Sequence, residues 1–405
     1  MIVSMRPLAF AAALLATTAA HTVAHAQTAK PVKIGVLADE AGFASDIGGK
    51  GATLATRMAV EDFGGTVLNR PIEILSADMQ NKPDVASNIA RQWFDVDGVD
   101  MVTDIPVSSV ALAVQAVARE KKKVLMISAA TTTELTNAQC SPYTIHWADD
   151  TASLSVGATK AVVQAGGTSW YFITADFAFG TAMEKAASDA IKQAGGTVLG
   201  SVKHPIGTSD FGSYLLSAQG SGAKVVALAN VGADTIGAIK QAGEFGLIAG
   251  GQRMVGYIVF ITDVHSLGLE LAKGLYVTEG FYWDQNDRTR AWSKRFFERH
   301  GKMPSKEQAN TYLATLHWLK AVKAAGTTDS EPVTAAMKAM PTDYFGVPGS
   351  VRKDGRVLYD LALYQVKSPA ESKAPWDYYT QVRAIPAAEA FLPLEKSTCP
   401  FVTAK

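Results

Sequence analysis

The chain has little cysteine, little charge and no long apolar run. Only Cys140 and Cys399 occur. Two cysteines without C-x-x-C spacing make a poor metal or thiol-redox site. Charged residues are 19% of the chain, and Lys plus Arg (38) match Asp plus Glu (38). No basic surplus is available to hold nucleic acid or an anionic membrane surface. The most apolar stretch, residues 8–20, falls short of the ~20 residues that span a bilayer. Sequence motifs of catalysis are also missing. Gly48-Gly49-Lys50-Gly51 lacks the spacing and the hydroxyl of a phosphate-binding loop. No G-x-G-x-x-G follows the first predicted strand, and no G-x-S-x-G nucleophile elbow occurs. His146, His204, His265, His300 and His317 are scattered, with no H-E-x-x-H among them. The expectation is therefore no catalytic site, no metal and no cofactor.

What is present begins at the N-terminus. Arg6 precedes the apolar stretch, and Ala24-His25-Ala26 supplies the small residues of a cleavage site. This pattern predicts a secretory signal peptide over residues 1–26, cut after Ala26. No cysteine stands near the cut, so a lipid anchor is not expected. Export places Cys140 and Cys399 in an oxidising compartment, where a pair tends to bridge. A bridge would tie the C-terminal tail to the middle of the chain; two buried free thiols are the alternative. The mature chain exceeds one domain core, and 48% apolar residues suffice for two.

Short β-branched runs at 32–38, 71–77, 101–105 and 124–128 predict strands buried on both faces. Helical patterns at 51–63, 84–94 and 109–121 lie between them. The order β-α-β-α predicts a parallel, doubly wound sheet. It then repeats, with strands at 170–174, 198–203, 225–229 and 254–260. Helices at 179–193, 211–218 and 233–245 alternate with them. Gly195-Gly196 and Gly64-Gly65 are helix stops. The last third predicts a strand at 274–281, helices at 288–300, 308–325 and 333–340, and a strand at 357–366. With so few strands it completes the two lobes, and the chain crosses between them more than once, forming a hinge. The expected division is 27–147 plus about 279–345 for the first lobe, and 148–278 plus about 346–405 for the second.

In open parallel sheets, ligands sit at the carboxyl ends of the strands. Those ends fall at 39–46, 106–109 and 129–133 in the first half, and at 176–179, 230–234 and 260–263 in the second. Ser108 or Ser109 opens a helix and reads as its N-cap. The hydroxyls and the free N–H groups of that turn form an anion site. Residues 129–136, A-A-T-T-T-E-L-T, offer further hydroxyls and amides.

The stretches at 35–52, 70–78 (R-P-I-E-I-L-S-A-D), 108–114 (S-S-V-A-L-A-V) and 128–136 (S-A-A-T-T-T-E-L-T) resemble the Leu/Ile/Val-binding protein family. These are type I periplasmic binding proteins of ABC importers. The similarity runs in order over nearly the whole mature chain. It implies a two-lobed α/β clamp in the periplasm that closes on a ligand and presents it to an inner-membrane permease. The resemblance also implies that Ser108 or Ser109, with Ala129, Ala130 and Thr131, holds the ligand carboxylate. Amino-acid binders of the family use a Tyr where this chain has Phe179, a Tyr in the loop starting at Asn230, and an acid near Phe260 for the ammonium. Here the first hydroxyl is gone, the second Tyr is missing, and no acid appears before Asp263. A buried ammonium needs an opposite charge or several acceptors. Phe43, Phe177, Phe179 and Phe260, with Tyr282 and Trp283, add aromatic surface instead. The expectation is a hydrophobic or aromatic monocarboxylate. Asp176, Asn230 or Asp263 could still serve an amine, which keeps a branched-chain amino acid as the alternative. A monomeric transport receptor is expected, ahead of a sensor or a secreted hydrolase.

Overall fold

The computed structural model describes residues 1–3 and 30–403; the expected signal peptide and its cut lie outside the described residues. The first half runs β1 (Val32–Ala38), α1 (Gly49–Phe63), β2 (Thr66–Val67), β3 (Arg70–Asp78), α2 (Pro83–Gln92), β4 (Met101–Asp104), α3 (Ser108–Glu120), β5 (Val124–Ile127) and β6 (Thr144–His146). These strands form one sheet in the order β2-β3-β1-β4-β5-β6. Every pairing is parallel except the β2–β3 hairpin. Helices cover both faces, which is why β4 and β5 are buried along their whole length.

The second half repeats the plan: α4 (Thr151–Gln164), β7 (Ser169–Ala175), α5 (Ala178–Gln193), β8 (Thr197–His204), α6 (Gly212–Gly220), β9 (Val225–Ala229), α7 (Ala233–Glu244), β10 (Arg253–Gly256), α8 (Ile261–Leu267) and α9 (Leu269–Ala272). Its sheet has the order β10-β9-β7-β8 and is parallel throughout. The predicted pair of doubly wound lobes is present. The strand expected at 254–260 stops at Gly256, because the apolar residues after it turn away to wall a cavity and lead into α8.

The last third consists of β11 (Tyr276–Glu279), α10 (Asp287–His300), α11 (Lys306–Ala325), α12 (Ser330–Ala339), β12 (Thr342–Tyr344), β13 (Val347–Val351), β14 (Val357–Leu358), β15 (Leu361–Val366) and β16 (Tyr379–Ile385). α10 and α11 pack on α1 of the first lobe, whereas the antiparallel sheet β11-β15-β16 packs on α4 of the second. The chain thus passes between lobes near 147–150, 280–286 and 359–360. The expected boundary near 346 falls inside the β12–β14 meander, between the paired strands β12 and β13; β13 also meets α12, and Arg356 bridges His146 at the end of β6. The strand expected at 357–366 is two strands, broken where the chain crosses.

Cys140 and Cys399 are joined by a disulfide, with both residues buried and a Cα–Cα distance of 5.6 Å. The C-terminal segment is thereby tied to the first lobe beyond β5.

Candidate functional site

The carboxyl ends of the two sheets face each other across a narrow cleft. The cavity between its walls is about 30 Å³, far below the roughly 300–1,000 Å³ of small-molecule sites, so the two walls have closed almost onto each other. Phe43, Pro106, Ser108, Ala129 and Thr131 line it from the first lobe. Phe177, Phe179, Val231, Ile258 and Phe260 line it from the second. No charged side chain is among the lining residues.

Local folding explains how each residue arrives. β4 ends in two non-glycine residues at positive φ, Asp104 (78°) and Ile105 (58°). That turn redirects the chain so that Pro106, Val107 and Ser108 edge the cleft. The sequence offers Ser108 or Ser109 as the N-cap, but the cap of α3 is Val107, with no side-chain capping bond. Ser108 is the first helical residue and is buried, so its hydroxyl is not spent on capping. The first N–H groups of α3 have no partner within the helix.

After β5, His146 pins the next loop. Its Nε2 lies 2.6 Å from the Ala130 carbonyl, and its Nδ1 lies 3.0 Å from the Arg356 guanidinium. Burial, with the nearby Arg356 charge, holds this imidazole well below its ordinary pKa. The neutral ring therefore donates from Nε2 and accepts at Nδ1. The Ala130 carbonyl is thus turned away and occupied, while its flanking residues Ala129 and Thr131 face the cleft.

On the second lobe, Gly180 lets the first turn of α5 press onto the end of β7. A Cβ there would stand 2.0 Å from the Ala175 carbonyl oxygen. This close approach sets Phe179 into the cleft, where its ring meets Phe177 at 5.6 Å. The lobes touch across the cleft, where α3 also meets α5. The Phe43 ring meets Phe177 edge-on at 6.3 Å. Gly232, at φ +61°, comes so near that a Cβ would lie 2.8 Å from the Phe43 carbonyl oxygen. The arrangement is a closed clamp.

Of the sequence-derived candidates, Phe43, Ser108, Ala129, Thr131, Phe179 and Phe260 line this cleft; Ser109, Ala130, Asp176 and Asn230 do not. Asp176 is exposed and paired with Lys203 at 3.2 Å. Asn230 is buried behind the wall, bonded to Thr235 at 2.7 Å and His204 at 3.3 Å. Asp263 is likewise committed: it accepts the Phe260 N–H at 2.9 Å, and burial pushes its pKa up to about 7. Tyr282 and Trp283 line a different, smaller cavity, and both donate to the Trp376 carbonyl. Val231 and Ile258 were not singled out. Both stand in strand-end loops that the topology marks, but an aliphatic side chain carries no chemical signature of its own.

Behind the cleft, where the chain crosses, lies a buried ionic cluster. Lys306 Nζ is 3.2 Å from Asp149 and 3.3 Å from Glu279, and it sits 5.6 Å from the centre of the Phe260 ring. Burial raises the Glu279 pKa to about 8 despite the Lys306 charge. Tyr359 donates to the Trp147 carbonyl at 2.9 Å and to Asp149 at 2.6 Å. Among the described residues, no group of three or more His, Cys, Asp or Glu is gathered to hold a metal ion, and no helix is long and apolar enough to cross a membrane.

Comparisons with known proteins agree with this geometry. A family model described as periplasmic binding protein matches residues 31–373. A periplasmic binding protein from Burkholderia mallei is 47% identical, with a TM-score of 0.90 over 92% of this chain and 99% of that one. A branched-chain amino acid ABC transporter periplasmic ligand-binding protein from Burkholderia xenovorans LB400 is 39% identical, with a TM-score of 0.83 over 92% and 100%. The Leu/Ile/Val-binding protein homolog 6 of Brucella melitensis is 25% identical over 271 residues, 66% of this chain and 68% of its own length. Fold alone is shared with a solute-binding protein from Rhodopseudomonas palustris BisB5 in complex with 3,4-dihydroxybenzoic acid, at 21% identity and a TM-score of 0.80 over 88% and 98%. With the model match spanning most of its length and the two-lobed clamp in place, the chain belongs to the periplasmic binding protein family.

Proposed function

We propose that this protein is the periplasmic receptor of an ABC importer and that its ligand is a hydrophobic or aromatic monocarboxylate. One observation carries the ligand class: the cleft presents hydroxyls and helix N–H groups on one wall, phenylalanine rings on both, and no carboxylate. A ligand carboxylate meets the Ser108 and Thr131 hydroxyls and the α3 N-terminus, which favours an anion. The body of the ligand is taken between Phe43, Phe177, Phe179 and Phe260. An α-ammonium would be buried without a counter-charge, which is costly. Delivery follows from closure: the second lobe shuts over the acid, and the closed form is what the membrane permease recognises. The protein works as a monomer after export to the periplasm and cleavage after Ala26, and it turns over no substrate. A second reading, a branched-chain amino acid, is favoured by the 39% identical Burkholderia xenovorans protein. A thermal-shift screen of refolded, ligand-stripped protein separates the two. A ligand at ~100 times its Kd stabilises by roughly 2.7 kcal/mol. Stabilisation by benzoates or cinnamates, and none by Leu, Ile or Val, is expected. Stabilisation by the amino acids alone would overturn the ligand class.

A further inference from the structure

A second cavity, of about 280 Å³, opens on the first lobe between α10, α11 and the β12 segment. It shares no lining residue with the cleft. We propose that it is a second binding site, for a flat apolar molecule carrying one negative charge.

The floor is aromatic. Trp147 and Trp292 are 1% and 4% exposed, so their rings are fixed by packing before any ligand arrives. Trp292 meets Tyr312 at 5.1 Å and Phe345 at 5.3 Å, and Trp147 meets His317 at 5.4 Å. Such ring edges and faces suit a planar ligand. The rim is cationic, with Arg288, Arg295 and Lys320. Two of these charges are already matched: Arg288 binds Asp343 at 2.7 Å, and Arg295 binds Asp62 at 2.7 Å. Lys320 makes no hydrogen bond or salt bridge among the described residues. Its field reaches into the cavity all the same, because it lowers the pKa of both Asp343 and His317. His317 adds no competing charge: burial first, and Lys320 after it, bring its pKa to about 4, so the ring is neutral at pH 7. One unmatched cation above a rigid aromatic floor is the complement of an aromatic sulfonate or carboxylate. This assignment stands independently of what the cleft binds.

The test is a fluorescence titration with 8-anilinonaphthalene-1-sulfonate, an aromatic monoanion that brightens in apolar sites. Lys320 and Ala291 are exposed, so Lys320→Glu and Ala291→Trp, which fills the cavity, leave the core untouched. Val231→Trp fills the cleft instead. Wild type is expected to bind the probe at one saturable site. Charge reversal in K320E should weaken binding at least about fivefold. A291W should abolish it, and V231W should leave it unchanged. Wild type without saturable binding, or probe binding unaltered in both K320E and A291W, would overturn the proposal. So would binding lost in V231W and kept in A291W, which would put the probe in the cleft.

Discussion

At the scale of single residues, the candidate site rests on a few neutral donors and a ring cage. Ser108 and Thr131 are the two hydroxyl side chains on the cleft wall. A hydrogen bond to a charged group contributes about 1.5–3 kcal/mol. Ser108→Ala with Thr131→Val removes two such bonds and should therefore weaken carboxylate binding by roughly a hundredfold or more by calorimetry. Asp176→Ala, by contrast, should leave it unchanged, since Asp176 faces solvent beside Lys203. The contrast marks what was readable in advance. Strand ends mark where cleft-lining residues gather, and Ser108, Thr131, Phe179 and Phe260 stand at such ends and line the cleft. Side-chain direction was not readable: Asn230 stands one residue from Val231, yet one points behind the wall and the other into the cleft. Nor did the Ser-Ser pair disclose that Val107 holds the cap position, since the turn through Asp104 and Ile105 at positive φ is invisible in the pattern.

At the scale of elements, the crossings carry the electrostatics. Burial raises Glu279 to about 8 and Asp263 to about 7, whereas in the unfolded chain they titrate near ~4. Between those values the folded protein holds protons that the unfolded chain has lost, so stability falls as pH rises from about 4 to about 8. Glu279→Gln and Asp263→Asn each remain uncharged at every pH. Chemical-denaturation series should show a shallower decline over that window in each variant. An unaltered slope would mean that the carboxyls are ionised in the folded state at lower pH. The strands and long helices around this cluster were legible because apolar periodicity reports burial. β12, β13, β16 and α8 were not, because short segments at a junction take their conformation from partners distant in sequence.

The whole molecule is a clamp closed by contact between lobes and braced at its end by one covalent tie. Gly232→Ala places a Cβ against the Phe43 carbonyl in the closed form. It should weaken ligand binding by roughly fivefold or more. The Cys140–Cys399 link spans 259 residues, and replacing both cysteines by Ser should cost about 2–4 kcal/mol in denaturant unfolding. The two-lobed plan was legible from the repeated β-α order. The meander between α12 and β15 was not, and the expected boundary near 346 cuts it between β12 and β13. On the proposed reading, the cleft accepts a carboxylate and has nothing to receive an ammonium. Calorimetry with 3-phenylpropanoate and phenylalanine tests it most directly, because the pair shares ring, chain and carboxylate and differs in the α-ammonium. Tight binding of 3-phenylpropanoate, with phenylalanine at least about a hundredfold weaker, is the predicted result. Phenylalanine binding as tightly as its deaminated partner would contradict the account.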